Sequence, residues 1–367
     1  MLNTCAVLAV PLVLLAASAA AAPRVTAYED DGAITVDGKR TLIIGSYYKA
    51  KSDNPYKELA DSGFNLVMTP ADPKLMDAAL DAKLMVWTGV GTLDLANRAK
   101  SEADFVEAYP IIKKADPNHL LYTNHAPTNL VKTLQAYNAG TDIVACDIYP
   151  VNPGGLKSMF ALFPDGYQGD LVNEHISQVG DYTEKMRAVA GPKRPVFMVL
   201  QAFAWENLVE PKEDRRAEKV VYPTYEQSRF MAFQALIKGA NGIIYWGSDF
   251  TPQPSQAWSD LKRVTREVAD QAAALAERTS AVAISLDYQE MGHSVDKGVQ
   301  TLVKEHGGKL YLYTCNADKN ICRAAVSGLD GWKTCAVLNE SRSLPVEKGG
   351  FTDTWKRFDV HVYELSK

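Results

Sequence analysis

Two carboxylates stand where apolar runs give way to polar ones: Asp147 closes "DIVACD", and Glu206 follows "FMVLQAFAW". A pair of carboxyl groups flanking a glycosidic bond can hydrolyse it. One protonates the leaving oxygen, and the other attacks the sugar or activates water. An aspartate among Val, Ala, Cys and Ile is costly to bury without a partner, which marks Asp147 as a functional candidate. Each residue also has a plainer reading. Asp147 reads equally as a structural carboxylate bonding backbone amides of nearby loops, and Glu206 as a solvated loop residue or helix-cap partner. Glu174 in "VNEHISQ" is a third candidate, with capping as its plainer role.

Aromatic residues occupy the ends of the other apolar runs: Tyr47, Tyr48, Trp87, Tyr149, Trp205, Tyr245 and Trp246. Sugar rings present apolar C–H faces on which aromatic planes stack, while polar tips bond the hydroxyls. For Trp87 and Tyr245, core packing explains the residue equally well. Asn124, His125, Gln201 and Asp249 share these run ends. The Gln201 amide offers both donor and acceptor to a sugar hydroxyl, or to adjacent strands. His125 reads as a binding or a core residue. The expected ligand is therefore carbohydrate. None of the six histidines has metal-ligand spacing, and no Gly-x-Ser-x-Gly elbow occurs, so neither a metal nor a cofactor is expected.

These residues need a scaffold that brings run ends together. Seven continuous apolar runs, at 41–48, 64–69, 83–90, 120–125, 142–150, 195–203 and 242–248, alternate with helical segments. Continuous rather than alternating apolar strands mean a parallel sheet covered on both faces, either doubly wound or a (β/α)8 barrel. No glycine-rich phosphate fingerprint follows the first run, which disfavours nucleotide binding. Barrel enzymes carry their working residues where the strands end. Two long loops, 151–173 and 206–222, belong to that same face. From residue 281 short alternating strands predict a small antiparallel sandwich. The expected fold class is α/β, TIM-barrel-like over 23–280, followed by an all-β sandwich over 281–367.

At 47% apolar and 23% charged residues the chain can bury a full core, and its net charge of −5 argues against a nucleic-acid partner. Residues 1–22, "MLNTCAVLAVPLVLLAASAAAA", read as a secretory signal ending in small residues, though without Lys or Arg at the start. An uncleaved anchor is the alternative. The expectation is a secreted or periplasmic protein, free of the membrane after cleavage. Four of the five cysteines lie beyond this segment. A turn at 317–320 would set Cys315 opposite Cys322, the best disulfide guess, whereas Cys146 in an apolar strand reads as a buried free thiol.

Several stretches carry a family likeness. "VDGKRTLIIGSYY" resembles the opening of secreted glycoside hydrolases with a (β/α)8 barrel. "EADFVEAYPIIKKADPNH" followed by "DIVACDIYPV" is similar to a helix and later strand of those enzymes, and "ANGIIYWGS" to their last strand. "GGFTDTWKRFDVHVYEL" resembles the end of the β-sandwich that follows many such barrels. The resemblance implies hydrolysis of O-glycosidic bonds in an oligo- or polysaccharide. It also implies a fourth strand ending in an Asp-Glu-Pro-like motif whose Glu is the general acid, and a second Glu at the end of strand seven. This chain departs at both points. "TLDLANRAK" runs into "SEADFVEAY" with neither strand nor motif between, and Gln201 in the run 195–203 stands where the resemblance places that second Glu, and it cannot be a nucleophile. The gap has three readings: a real deletion, a mis-assembled coding sequence, or a barrel closed by another strand such as 24–29. Function divides accordingly into a hydrolase of impaired activity, a non-catalytic carbohydrate-binding relic, or a truncated chain that folds poorly. Sugar, linkage, stereochemistry and oligomeric state are not encoded at this level.

Overall fold

A computed structural model describes residues 24–89, 102–153, 173 and 175–367. The expected signal segment, Cys5, Glu174, most of the loop 151–173 and the junction that would hold the lost strand lie outside the described residues. No helix among the described residues is long and apolar enough to cross a membrane.

The chain opens with three short antiparallel strands, β1 (Thr26–Tyr28), β2 (Ile34–Val36) and β3 (Lys39–Arg40). Asp37 and Gly38 both take positive φ, 52° and 76°, as a tight two-residue hairpin turn requires. Residues 24–29 therefore do not close a barrel; among the described residues β1 pairs only with β2. Seven parallel strands follow: β4 (Ile43–Ser46), β5 (Leu66–Met68), β6 (Met85–Trp87), β7 (Tyr122–His125), β8 (Ile143–Ile148), β9 (Val196–Gln201) and β10 (Gly242–Trp246). All seven apolar runs form strands.

Helices connect them: α1 (Pro55–Asp61), α2 (Pro73–Asp81), α3 (Glu102–Ala115), α4 (Val131–Gln135), α5 (Gln178–Ala190), α6 (Tyr225–Ile237), α7 (Gln256–Asp270) and α8 (Ala272–Leu275). Their starts follow local chemistry. The Asp72 side chain accepts from the Lys74 amide with Pro73 in the first turn, and Thr224 with Gln227 closes a reciprocal capping box.

The sheet order is β6-β5-β4-β10-β9-β8-β7. The pairing of β10 with β4 is the one that closes a TIM barrel, so the molecule is TIM-barrel-like, opened between β6 and β7. Aromatic side chains span that interval: Trp87 of β6 meets Tyr122 of β7 edge-on with ring centroids 5.0 Å apart.

The strands alternate with period two. Ile43, Ile143, Ala145, Phe197, Val199 and Ile244 point inward, where Ile34 and Val36 of the hairpin join them and floor the barrel. Ile44, Val144, Cys146, Met198, Leu200 and Ile243 point outward beneath the helices.

Beyond α8 the pairing becomes antiparallel. β11 (Ser285–Tyr288), β14 (Cys322–Ser327) and β17 (Gly350–Trp355) form one sheet. β12 (Val299–His306), β13 (Lys309–Asn316), β15 (Thr334–Val337), β16 (Arg342–Pro345) and β18 (Val360–Ser366) form the other. The larger sheet sends Tyr313, Cys315, Val360 and Val362 into the core under the barrel helices, and Leu310, Leu312, Tyr363 and Leu365 into the core between the two sheets. This corrects the disulfide expectation. The 317–320 turn carries the chain from one sheet to the other, so Cys315 and Cys322 enter different cores, and both are buried free thiols. Cys146 is buried as expected, its Sγ 4.0 Å from Met198 Sδ.

Candidate functional site

The C-terminal ends of the barrel strands form a mouth, and strand alternation decides what faces it. In β7, Tyr122 and Asn124 point inward and His125 outward. Accordingly the Asn124 amide donates to Oδ1 of Asp147 at 3.0 Å, whereas His125 is buried under the helical layer with its ring 5.6 Å from Tyr137. Burial pushes the His125 pKa down to about 4, and Nε2 has no hydrogen-bond partner among the described residues. His125 is a core residue. Tyr245 faces outward as well, edge-on to Phe64, and leaves the proposed aromatic ring.

Asp147 follows Ala145 on the inward face of β8. Burial raises its pKa; the Asn124 hydrogen bond opposes the rise. Its neighbours are phenols. Tyr47 and Tyr122 bring their hydroxyls within 3.0 Å of each other. The Tyr47 pKa is pushed up to about 12, chiefly by burial, with the Asp147 charge adding to it. Trp87 leans edge-on against Tyr47 at 4.7 Å, and its buried Nε1 has no hydrogen-bond partner among the described residues.

A second aromatic group continues the wall. Trp246 stacks on Tyr149 at 5.5 Å and 25°, meets Phe203 edge-on at 5.0 Å, and has Tyr48 at 6.3 Å. Trp205 donates its Nε1 hydrogen to the Tyr149 carbonyl at 3.1 Å. Tyr47, Tyr48, Trp87, Trp205 and Trp246 all keep part of their surface exposed. The strand ends after Trp246 because Gly247 takes φ +90°, and a Cβ there would lie 2.4 Å from Phe203. Gly247→Ala is expected to cost about 1–3 kcal/mol from strain and overpacking and to displace Phe203 from under Trp246. Urea unfolding together with tryptophan fluorescence checks both effects.

The remaining candidates hold the wall rather than line it. Gln201 is buried; its Oε1 accepts from the Val151 amide at 2.8 Å, and its Nε2 donates to the carbonyls of Val151 and Phe203 at 2.8 and 3.0 Å. It staples the loops after β8 and β9. Glu206 is also buried, and its Oε1 accepts from the amide and Nε of Arg216 at 2.7 and 3.2 Å. These contacts, the backbone one foremost, lower its pKa. Its carboxylate thus clamps the loop that follows β9. Asp249 is exposed at the rim and pairs with Lys51 at 3.4 Å. A metal-ligand-like grouping of Glu29, Asp30 and Asp31 lies at the floor, where Arg40 and Arg278 pair with it.

Three site members escaped the sequence reading: Tyr122, Phe203 and Phe250, whose ring lies 5.6 Å from Trp246. Tyr122 was accessible in principle, since it stands two residues before Asn124 and shares its face. Phe203 and Phe250 lie past their strands, where periodicity no longer applies.

No protein-family model and no curated protein sequence matches this chain. Solved structures do resemble it. A glycoside hydrolase family 5 protein from Bacteroides vulgatus superposes with a TM-score of 0.53 at 9% identity, over 94% of each chain. A maltogenic α-amylase from Thermotoga neapolitana gives 0.48 at 9% identity, over 89% of this chain and 99% of the other. An α-amylase from Geobacillus thermoleovorans, complexed with acarbose, gives 0.47 at 9% identity, over 90% and 100%. The first of these likenesses shows a shared fold. The chain is therefore similar in architecture to TIM-barrel glycoside hydrolases with C-terminal β-sheets.

Proposed function

We propose that this protein binds carbohydrate in the barrel mouth, on a glycosidase-type scaffold with no working hydrolytic pair among the described residues. The observation that carries the reading is the part-exposed aromatic wall of Tyr48, Trp205 and Trp246 continuing past Asp147 to Tyr47 and Trp87. Such a wall offers stacking faces with hydrogen-bonding tips around one acceptor, the combination a sugar needs. Of the two carboxylates expected to flank the bond, Glu206 is spent on Arg216. Gln201 is neutral and bonded to backbone. The neighbouring glycoside hydrolases, one of them complexed with acarbose, support a carbohydrate ligand. The reading includes export, with residues 1–22 removed. It also divides the chain into a binding unit, 23–280, and a sandwich, 281–367, supported by the change from parallel to antiparallel pairing after β10.

Hydrolysis of an O-glycosidic bond is the second reading, favoured by one observation. Burial raises the pKa of Asp147, which suits a general acid. Screening the protein against immobilised oligo- and polysaccharides, and assaying each ligand for cleavage, separates the two. Binding without cleavage is the expected result. Cleavage abolished in Asp147→Asn would establish the second reading, and no binding to any glycan would remove both.

Asp147→Asn also has a stability signature. The raised native pKa means that the folded state holds the proton more tightly than the unfolded chain. The penalty for the charged form is then absent below the ordinary value of 3.8 and complete above the raised value. The variant is expected to be more stable than the parent at pH 7, with the difference vanishing as the pH falls below 3.8. Urea melts at the two ends of that window measure it.

A further inference from the structure

A cavity of about 400 Å³ opens at the end of the barrel opposite the mouth. It is bounded by the floor hairpin, the turn before β10, α5, the segment after α8, and β12. Four cations reach it: Arg40, Arg187, Arg278 and Lys304. The nearby acids are already engaged. Asp31 accepts from Arg40 at 2.6 Å and has Arg278 at 3.8 Å, and Glu29 is shared by the same two arginines. Asp30 pairs with Arg278 at 2.6 Å, and Glu277 with His306 at 3.0 Å.

Arg187 and Lys304 are left with neutral partners. The Arg187 guanidinium donates to the carbonyls of Arg194, Gly191 and Pro192 and to the Asn241 side chain. Lys304 is 9% exposed, and its Nζ donates to the Glu277 carbonyl at 2.5 Å, with Thr279 Oγ1 at 3.5 Å. Asp31 and Glu277 offset its charge only from beyond ion-pair distance, and an anion in direct contact relieves more of the cost of burying the ammonium. Beside the polar groups the lining also includes aliphatic side chains, Leu42, Leu236, Leu275 and Leu302.

We infer that this cavity binds a small organic anion, a carboxylate on an aliphatic stem, between Lys304 and Arg187. The carboxylate supplies the counter-charge, and the stem covers the leucines. The volume falls in the range of small-molecule sites. The site lies far from the sugar-binding mouth and does not depend on it.

Lys304 makes this binding depend on pH. Burial, with Arg40 adding, lowers the Lys304 pKa to about 8; Asp31 and Glu277 oppose this. Arg187 and Arg278 face the same space with fixed charge. A bound anion favours protonated Lys304 and raises its pKa. Affinity is therefore full below pH 8 and falls as the pH rises through the window above it.

Calorimetric titration of the full chain with hexanoate, and with hexanol as the uncharged control, tests the inference. Saturable one-to-one hexanoate binding is expected, at least about tenfold tighter than hexanol, and weaker at pH 9.5 than at pH 7. Lys304→Met, shown folded by circular dichroism, should lose that preference. The hexanol control needs no variant and stands if Lys304→Met does not fold. Equal affinity for the two ligands, hexanoate binding unchanged in folded Lys304→Met, or no saturable binding would each overturn the assignment.

Discussion

Trp246→Ala is expected to weaken carbohydrate binding roughly 30- to 150-fold, equivalent to about 2–3 kcal/mol. Trp246 is the centre of the wall: it stacks on Tyr149, braces against Phe203 and borders Tyr48 and Phe250. Alanine removes the stacking plane and also loosens the rings beneath it. Trp246→Phe keeps a plane at the same place and is expected to retain most of the affinity. Titration calorimetry with the tightest glycan from the screen measures both variants, with near-ultraviolet circular dichroism confirming that each is folded. Unchanged affinity in folded Trp246→Ala would remove the mouth as the binding surface.

The largest stability effect is expected at the junction of the barrel with the antiparallel sheet. Arg229 of α6 forms a two-pronged pair with Glu267 of α7, its Nε at 2.9 and 3.0 Å from the two carboxylate oxygens and its Nη2 at 2.7 Å. Its Nη1 donates to the Val360 carbonyl on β18. Tyr225 adds a hydrogen bond to Glu267 at 3.0 Å. The side chains are only 12% and 5% exposed. Removing one partner leaves the other charge buried without compensation, so Arg229→Met should cost about 3–5 kcal/mol. The double variant Arg229→Met/Glu267→Leu should recover much of that loss, since no unpaired charge remains. Urea denaturation of the two single variants and the double variant closes the cycle. A loss under 1 kcal/mol in Arg229→Met would mean that water reaches the pair.

Both experiments bear on how the scaffold works. Among the described residues the barrel opened between β6 and β7 has two unpaired edges, and parallel edges are an association hazard. Here the interval is bridged inside by Trp87, Tyr122 and Tyr47, so the rings that border Asp147 also hold the open side together. In the proposed reading the brace and the binding surface share these side chains, so affinity and barrel stability are expected to be coupled.

The order and kind of the elements were written in local sequence. Continuous apolar runs separated by capped helices specify buried parallel strands, and Asp37-Gly38 specifies a hairpin, because these signals depend on neighbours a few residues apart. The strand ends were legible for the same reason, and so were Asp147, Trp246 and Tyr47 as residues at the mouth. What the run ends did not reveal was direction. His125 and Tyr245 sit at the same strand ends but on the outer face, and only the curled sheet shows which parity points inward. Glu206 lost its candidacy to a loop that returns ten residues later to present Arg216. Cys315 and Cys322 lost theirs to a turn that changes sheets rather than reversing within one. Side-chain direction, loop return and sheet choice are settled by contacts between distant segments, where burial of whole faces outweighs any preference of the few residues at the turn.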